Sequence, residues 1–215
     1  MTRSVARFLA AALLGGAAWC GAMLGGSAAR ADEADGWIVL FNGKDLDGWE
    51  QHGGAAKDTV EDGAIVGQSV PNTSNSFLCT KQRFKDFELV FEVKVDRGLN
   101  SGVQIRSNIK ENDRVYGPQV EIETGPGESG EATGRGWLSQ DRSKQAKFDN
   151  DGWNQYRVIC RGANIKTFVN GEAIADLTDE ESNHDGVIGL QVHGVGKKEE
   201  PMFVRWRNIK FRELK

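Results

Sequence analysis

The sequence predicts an all-β protein in which two antiparallel sheets pack into a jelly-roll sandwich. Short extended segments with alternating apolar and polar residues recur along the chain, and no stretch sustains the period of an amphipathic helix. Tight-turn pairs such as Asp62-Gly63 and Asn170-Gly171 separate several of these segments. Strands of this kind bury their apolar faces when two sheets pack together, so we expect that architecture.

Residues 1–31 are predicted to be a signal peptide that is removed on export. Arg3 and Arg7 provide a basic start, an apolar stretch rich in alanine and glycine follows, and Ala29-Arg30-Ala31 offers small residues before a cleavage site. We expect residues 32–215 to form a single β-sandwich domain that is periplasmic or secreted. No membrane anchor is expected after the signal is removed.

The predicted mature domain is acidic. The full chain of 215 residues has a formal net charge of −4, and residues 1–31 contain three arginines and no acidic residue, so their removal leaves −7. An acidic domain without a basic patch repels phosphate backbones, and nucleic acid is therefore not an expected partner.

Cysteine and histidine placement gives little sign of bound metal. Cys79 and Cys160 both lie in apolar, strand-like segments, where two buried thiols or one disulfide are both compatible with the sequence. His52, His184 and His193 are scattered without the spacing of a ligand set. The sequence therefore predicts neither a metal site nor a cofactor.

The strands before residue 100 are defined by apolar runs and turns. Residues 37–41 form a short apolar strand, residues 59–66 form a hairpin around Asp62-Gly63, and residues 77–80 restart an extended segment. The longest strand is predicted over 84–95. Its inward-facing side chains are predicted to be Phe87, Leu89, Phe91, Val93 and Val95.

Two central strands, predicted at 102–106 and 118–123, carry the most informative pattern. Alternation places their apolar residues in the core and their polar residues on the opposite face, where Gly102 leaves space above the sheet. The polar side chains assigned to that face are Asn100, Gln104, Arg106, Gln119, Glu121 and Glu123. Such amides, carboxylates and a guanidinium can hold hydroxyls and move protons, whereas a solvated sheet face is the plainer alternative.

The second half of the chain begins with a glycine-rich segment at 125–151, predicted to be a long loop that folds over another part of the structure or a ligand. Trp137 within it could stack on a sugar or pack the loop onto the sheet. Strands are then predicted at 156–160, 165–169 and 172–177.

The last two predicted strands span 187–193 and 202–214. The first places Gln191 and His193 on its polar face. In the second, the apolar phase shifts from even to odd positions, which predicts a bulge near Arg207-Asn208.

We hypothesise that three of these polar faces converge on one ligand. Glu121 or Glu123 would then act as a base, His193 as a second titrating group and Arg106 as a cation. Sequence fixes the face of each residue but not the order of the strands, so the convergence is an expectation.

The chain resembles the 3-keto-disaccharide hydrolase domain family in motifs that follow the family's order. They are residues 40–49 (LFNGKDLDGW), Asp86-Phe87-Glu88-Leu89, Asn100-Ser101-Gly102-Val103, Trp153-Asn154, Val169-Asn170-Gly171, residues 188–194 (IGLQVHG) and Arg207-Asn208-Ile209. One departure concerns the central strand, where the family commonly has Glu-x-Gln and this chain has Gln119-Val120-Glu121.

The resemblance implies a concanavalin- or laminin-G-like sandwich and an exported bacterial enzyme acting on sugars oxidised at C3. A C3 ketone acidifies the C2 proton, which Glu121 or, second, Glu123 could remove. Arg106 or His193 could stabilise the enolate before the C1 substituent leaves and water adds. Hydroxyls would be held by Asn100, Gln104, Gln119 and Gln191, and Trp137 or Trp153 could stack on a ring.

Two other functions fit the same residues. One is a two-carboxylate glycoside hydrolase that acts on unoxidised glycans, in which Glu121 and Glu123 would form the acidic pair. The other is a non-catalytic carbohydrate-binding module. All three readings share a carbohydrate ligand, and none of them specifies an oligomeric state.

Overall fold

The computed structural model describes residues 31–32, 36–123, 132–133, 148–197 and 200–215. In these residues the strands are, in chain order, β1 (Ala31–Asp32), β2 (Trp37–Val39), β3 (Trp49–Gly53), β4 (Lys57–Glu61), β5 (Ala64–Gln68), β6 (Ser76–Thr80), β7 (Phe87–Val95), β8 (Asn100–Ile109), β9 (Val115–Tyr116), β10 (Gln119–Glu123), β11 (Ala132–Thr133), β12 (Asn154–Arg161), β13 (Asn164–Val169), β14 (Glu172–Thr178), β15 (Val187–Val192) and β16 (Phe203–Glu213). None of the described segments is a helix with the length and apolar character needed to cross a bilayer.

The described strands form two antiparallel sheets, as predicted. The first sheet has the order β1-β2-β16-β7-β12-β13-β14, and the β4–β5 hairpin joins it through β5, which pairs with β16. The second sheet has the order β11-β10-β8-β15-β6-β3, and β9 pairs with β8. The all-β sandwich predicted from alternation and turn residues is therefore confirmed.

The predicted turns and the predicted bulge are also present. Asp62-Gly63 and Asn170-Gly171 both adopt positive φ angles at their two positions, as a tight hairpin turn requires. The register between β16 and β7 shifts between Arg207 and Lys210, which is where the change of apolar phase predicted a bulge.

The core lies between the sheets and contains the apolar faces that alternation assigned to it. On β7 the predicted inward-facing side chains are all buried. The second sheet contributes fully buried residues from its three central strands, which are Val103, Ile105, Val120, Ile122, Ile188 and Leu190. Because these residues face the core, the polar residues between them project from the other side of the sheet.

Cys79 and Cys160 are both buried free thiols rather than a disulfide. Burial raises the pKa of each thiol to about 12, so both are neutral at physiological pH.

Candidate active site

A pocket of about 870 Å³ opens on the face of the second sheet that is turned away from the core. Its centre is lined by six polar side chains, which we call the polar floor. The polar floor consists of Asn100, Gln104, Gln119, Glu121, Gln191 and His193. All six were predicted as site residues from the sequence, and the structure brings them into one pocket.

Strand register explains why these residues meet. Gln119 on β10 lies opposite Gln104 on β8, and Glu121 lies opposite Gly102. Gln191 also lies opposite Gly102, on β15, which pairs with the other edge of β8. Residues that face each other across neighbouring strands are within side-chain contact, so three strands converge on the space above Gly102.

Glu121 is held by two amide donors. The Nδ2 of Asn100 donates a hydrogen bond to Oε1 of Glu121 at 2.6 Å, and the Nε2 of Gln119 donates to Oε2 at 3.0 Å. The Glu121 residue is only 8% exposed, so its carboxylate needs such partners. These contacts fix the direction in which the carboxylate points while leaving it on the pocket surface.

Gln119 is the centre of a wider amide network. Its Oε1 accepts hydrogen bonds from Nε2 of Gln104 at 2.8 Å and from Nε2 of Gln191 at 3.1 Å. The hydroxyl of Ser107 in turn donates to Oε1 of Gln104 at 2.6 Å. A connected network of this kind orders the amides before a ligand arrives.

Gly102 provides the space that Gln119 occupies. A Cβ atom at position 102 would lie 2.4 Å from Nε2 of Gln119, well inside van der Waals contact. The missing side chain at Gly102 therefore allows the amide to lie flat across β8.

His193 lies half-buried at the edge of the polar floor. Its Nδ1 is 2.8 Å from the backbone oxygen of Gly194. Because a carbonyl oxygen can only accept, Nδ1 must carry a proton, and Nε2 is the nitrogen that can gain or lose one.

The prediction that Arg106 shares the polar floor is wrong, and a bulge is the reason. Val187 of β15 lies opposite Ser107 of β8, whereas Gly189 lies opposite Gln104. The β8 strand therefore contains one extra residue in this interval, and Arg106 has a φ of 48°. Alternation is interrupted at that residue, and its side chain leaves the polar face.

The guanidinium of Arg106 serves the packing of the two sheets instead. It donates hydrogen bonds to the backbone oxygens of Lys85 and Gly162, each at 2.6 Å, and to Oδ1 of Asp86 at 3.0 Å. The Arg106 side chain is buried and lies outside the pocket lining.

Three further predicted residues are not part of the described pocket lining. Glu123 lies at the end of β10 opposite Asn100, outside the lining. Trp153 packs under Arg207 on the outer face of the first sheet, with the guanidinium 4.1 Å from its ring centroid. Trp137, like most of the glycine-rich loop around it, lies outside the described residues.

The pocket also contains residues that the sequence did not reveal. Asp113 and Arg114 from the connection between β8 and β9, and Tyr116 of β9 itself, line one wall. Asp113 contacts His52, which is 61 residues away in sequence. Alternation on a strand carries no information about a connection that folds back over its own sheet, so no sequence signal pointed to this wall.

The polar floor combines one oriented carboxylate, one histidine and several amides. Such a set can accept a proton at Glu121, exchange a proton at His193 and bind hydroxyl groups through the amides. Within the described residues, no group of three or more His, Cys, Asp or Glu side chains is arranged to hold a metal ion.

The sequence profile of the 3-keto-alpha-glucoside-1,2-lyase-like domain matches residues 36–212. A 3-keto-disaccharide hydrolase from Bacteroides thetaiotaomicron is 34% identical over 99 residues, which cover 40% of this chain and 34% of the relative. The chain thus spans about a third of the length of this curated relative.

Solved structures show the same fold at low sequence identity. A candidate glycosyl hydrolase from Parabacteroides distasonis ATCC 8503 superposes with a TM-score of 0.64 and 21% identity, covering 85% of this chain and 95% of that one. A carbohydrate binding module from Bacillus subtilis, CBM66, superposes with a TM-score of 0.52 and 16% identity, covering 77% of this chain and 96% of the module.

Proposed function

The chain belongs to the 3-keto-alpha-glucoside-1,2-lyase-like domain family, and on that premise we propose that it cleaves the glycosidic bond of 3-keto-glycosides and 3-keto-disaccharides. The observation that carries the proposal is the position of Glu121. Its carboxylate lies in the pocket, is oriented by two amides, and is surrounded by groups that bind hydroxyls.

The reaction begins with removal of the C2 proton by Glu121. The C3 ketone makes this proton acidic because the electron pair left on C2 delocalises onto the C3 oxygen as an enolate. Nε2 of protonated His193 donates a hydrogen bond to the developing negative charge. The amides of Asn100, Gln104 and Gln191 hold the ring hydroxyls in position.

The enolate then collapses and expels the substituent at C1. The C3 carbonyl re-forms, the C2 electron pair makes a C1=C2 double bond, and the leaving oxygen departs with the bonding pair. That oxygen takes the Nε2 proton of His193. Water next adds its hydroxyl to C1 and gives its proton to His193, while protonated Glu121 returns a proton to C2. Both side chains are thereby restored, and the net reaction is hydrolysis.

Export is part of the same proposal. The basic start, the apolar stretch and the small residues within residues 1–31 support secretion through the inner membrane. The substrate would then be met in the periplasm or outside the cell.

The decisive experiment compares 3-keto-glucosides with their unoxidised parents and follows release of the leaving group. We expect turnover of the 3-keto compounds, and in D2O the released 3-keto sugar should contain deuterium at C2. Glu121→Gln should lower kcat by about 10²- to 10⁴-fold, the usual contribution of a general base. Glu213→Gln, on an exposed carboxylate of the other sheet, is the matched control and should retain full activity.

Two results would contradict the proposal. Turnover of unoxidised glycans without deuterium at C2 would indicate direct displacement by a carboxylate pair. Sugar binding without turnover of either substrate class would indicate a carbohydrate-binding module, provided that Glu121→Gln still binds the same sugars as the wild type.

A further inference from the structure

The connection that follows β8 and the short strand β9 fold back together over the pocket face, and we call residues 110–116 the wall hairpin. Its turn is closed by two backbone hydrogen bonds, from the nitrogen of Lys110 to the oxygen of Arg114 and from the nitrogen of Asp113 to the oxygen of Lys110, each 2.9 Å. Asp113 at the tip has a φ of 61°, which directs the chain sharply back.

The tip of the wall hairpin reaches the opposite edge strand of the described sheet. The carboxylate of Asp113 lies 2.6 Å from Nδ1 of His52 and accepts a hydrogen bond from the nitrogen of Gly53 at 2.8 Å. Both partners belong to β3, which is separated from β8 by β15 and β6. Three strand spacings make this span about 14 Å, so the wall hairpin crosses the sheet rather than bordering it.

The base of the wall hairpin is anchored by apolar contacts. Val115 packs in a small buried cluster with Phe77, Cys79 and Val187, on the same face of the sheet as the pocket. The hairpin therefore has an apolar anchor near its base and a polar contact at its tip. Arg114 lies between these two points and Tyr116 follows Val115, and both line the pocket.

The pocket is longer than one sugar ring. Its lining extends from Glu121 on β10 to Gly53 on β3, which is four strand spacings, or about 19 Å. The ring that loses its C2 proton must contact Glu121 and so occupies the β10 end. The remaining length, along the wall hairpin, is available to the group attached at C1.

Resting on the proposed function, we propose that the wall hairpin forms the leaving-group side of the pocket and binds a second sugar residue. Arg114 and Tyr116 are its contact residues. Asp113 is a positioning residue, because its contact with β3 fixes the tip of the hairpin and so holds Arg114 and Tyr116 at the pocket wall. The enzyme is thereby matched to disaccharides over glycosides that have a small C1 substituent.

The test compares a 3-keto-disaccharide with methyl 3-keto-glucoside in the wild type and in Asp113→Ala. We expect Asp113→Ala to raise KM for the disaccharide about tenfold, with kcat unchanged and both constants for the methyl glycoside within about twofold of wild type. Tyr116→Ala should show the same selectivity without disturbing the tip contact. Asp176→Ala is the matched control, since Asp176 is 60% exposed, Asp113 is 56% exposed, and each carboxylate has two nitrogen partners.

Hydrogen exchange provides a readout that does not need turnover. In Glu121→Gln, where turnover is expected to be slow, the 3-keto-disaccharide should slow exchange at the amides of residues 111–116, whereas methyl 3-keto-glucoside should not. An equal loss of activity on both substrates in Asp113→Ala, or equal protection by both ligands, overturns the inference while leaving the proposed reaction intact. Failure of the wild type to cleave any 3-keto-glycoside counts against the proposed reaction, and the exchange experiment then decides the wall hairpin separately.

Discussion

Asp58 on β4 is a buried carboxyl group that should make the fold less stable as the pH rises. Neither of its carboxylate oxygens has a hydrogen-bond partner among the described residues, and both are inaccessible to solvent. The side chain lies beside Gly67, where an added Cβ would be 3.3 Å from Oδ1 of Asp58 and 3.1 Å from the Trp206 ring. Burial raises the pKa of Asp58 to about 6 from an ordinary value of 3.8.

The direction in which stability changes with pH follows from which state, folded or unfolded, keeps the proton on Asp58. Between about pH 4 and pH 6 the folded protein keeps a proton on Asp58 that the unfolded chain has already lost, so stability falls through this range and stays low above it. A shift of roughly two pKa units corresponds to about 3 kcal/mol at 1.36 kcal/mol per unit. Because part of the Asp58 residue is exposed, we expect about 2 kcal/mol in practice.

Asp58→Asn removes the ionisation and is the direct test. The free energy of unfolding of the variant, measured by urea denaturation, should gain about 2 kcal/mol relative to wild type between pH 4 and pH 7.5. Glu61→Gln, which removes an exposed carboxylate from the same strand, is the matched control for loss of one negative charge. A difference between Asp58→Asn and wild type that is constant from pH 4 to pH 7.5 would refute the reasoning.

Two further substitutions test the structure of the site. Gly102→Ala should displace Gln119, because the new Cβ would lie 2.4 Å from Nε2 of that residue. We expect kcat to fall about 100-fold, which is the usual effect of moving a catalytic group by about 1 Å, while the thermal midpoint of unfolding stays close to wild type. An unchanged kcat would contradict the expected clash between the new Cβ and Gln119. Arg106→Met should destabilise the protein by about 2–4 kcal/mol, since it removes the donor to two backbone oxygens, those of Lys85 and Gly162. Its kcat, measured at a temperature where the variant is folded, should stay near wild type, and a selective loss of kcat would instead indicate a catalytic role for Arg106.

Strand alternation predicted most of the polar floor because the ladder there is regular. Gln119 and Glu121 lie two residues apart on β10, and Gln104 lies opposite Gln119 on β8. Gln191 on β15 lies opposite Gly102 of the same β8 strand. The face of each residue could therefore be assigned from the sequence. That β15 lies beside β8 could not, because the three strands that precede β15 in sequence belong to the other sheet.

Alternation failed where the backbone departs from the ladder. Arg106 lies within a bulge whose extra residue interrupts the alternation. A bulge is visible in sequence when the phase of the apolar residues changes across it, as it does near Arg207. The contact of Asp113 with His52 joins two polar segments with no periodicity of their own. Long-range contacts between loops depend on the tertiary path of the chain, and local sequence does not encode that path.

The structure also bears on which carboxylate does the chemistry. The two acidic residues in the described pocket lining are Glu121 on the floor and Asp113 on the wall, whereas Glu123 lies outside it. Asp113 already binds His52 and Gly53, and the His52 imidazole together with the Gly53 amide lowers its pKa, which makes it a poor proton acceptor. Among the described lining residues, Glu121 is therefore the carboxylate that we propose as the base, and the part of the polar floor that the structure describes offers no second acid for a paired-carboxylate mechanism.

On β10 this chain has Gln119-Val120-Glu121 where the family commonly has Glu-x-Gln, and this reversed order of acid and amide fits Glu121 as the base. Residues 119 and 121 share one face, so moving the acid from the first position to the second shifts the proton acceptor by about 7 Å without taking it out of the pocket. In this chain the Oε1 of Gln119 accepts from both Gln104 and Gln191, an arrangement that would suit a carboxylate oxygen equally well. The floor can therefore hold an acid at either position, and because Gln119 and Asn100 both donate to Glu121, the acid at the second position is oriented as firmly as one at the first would be.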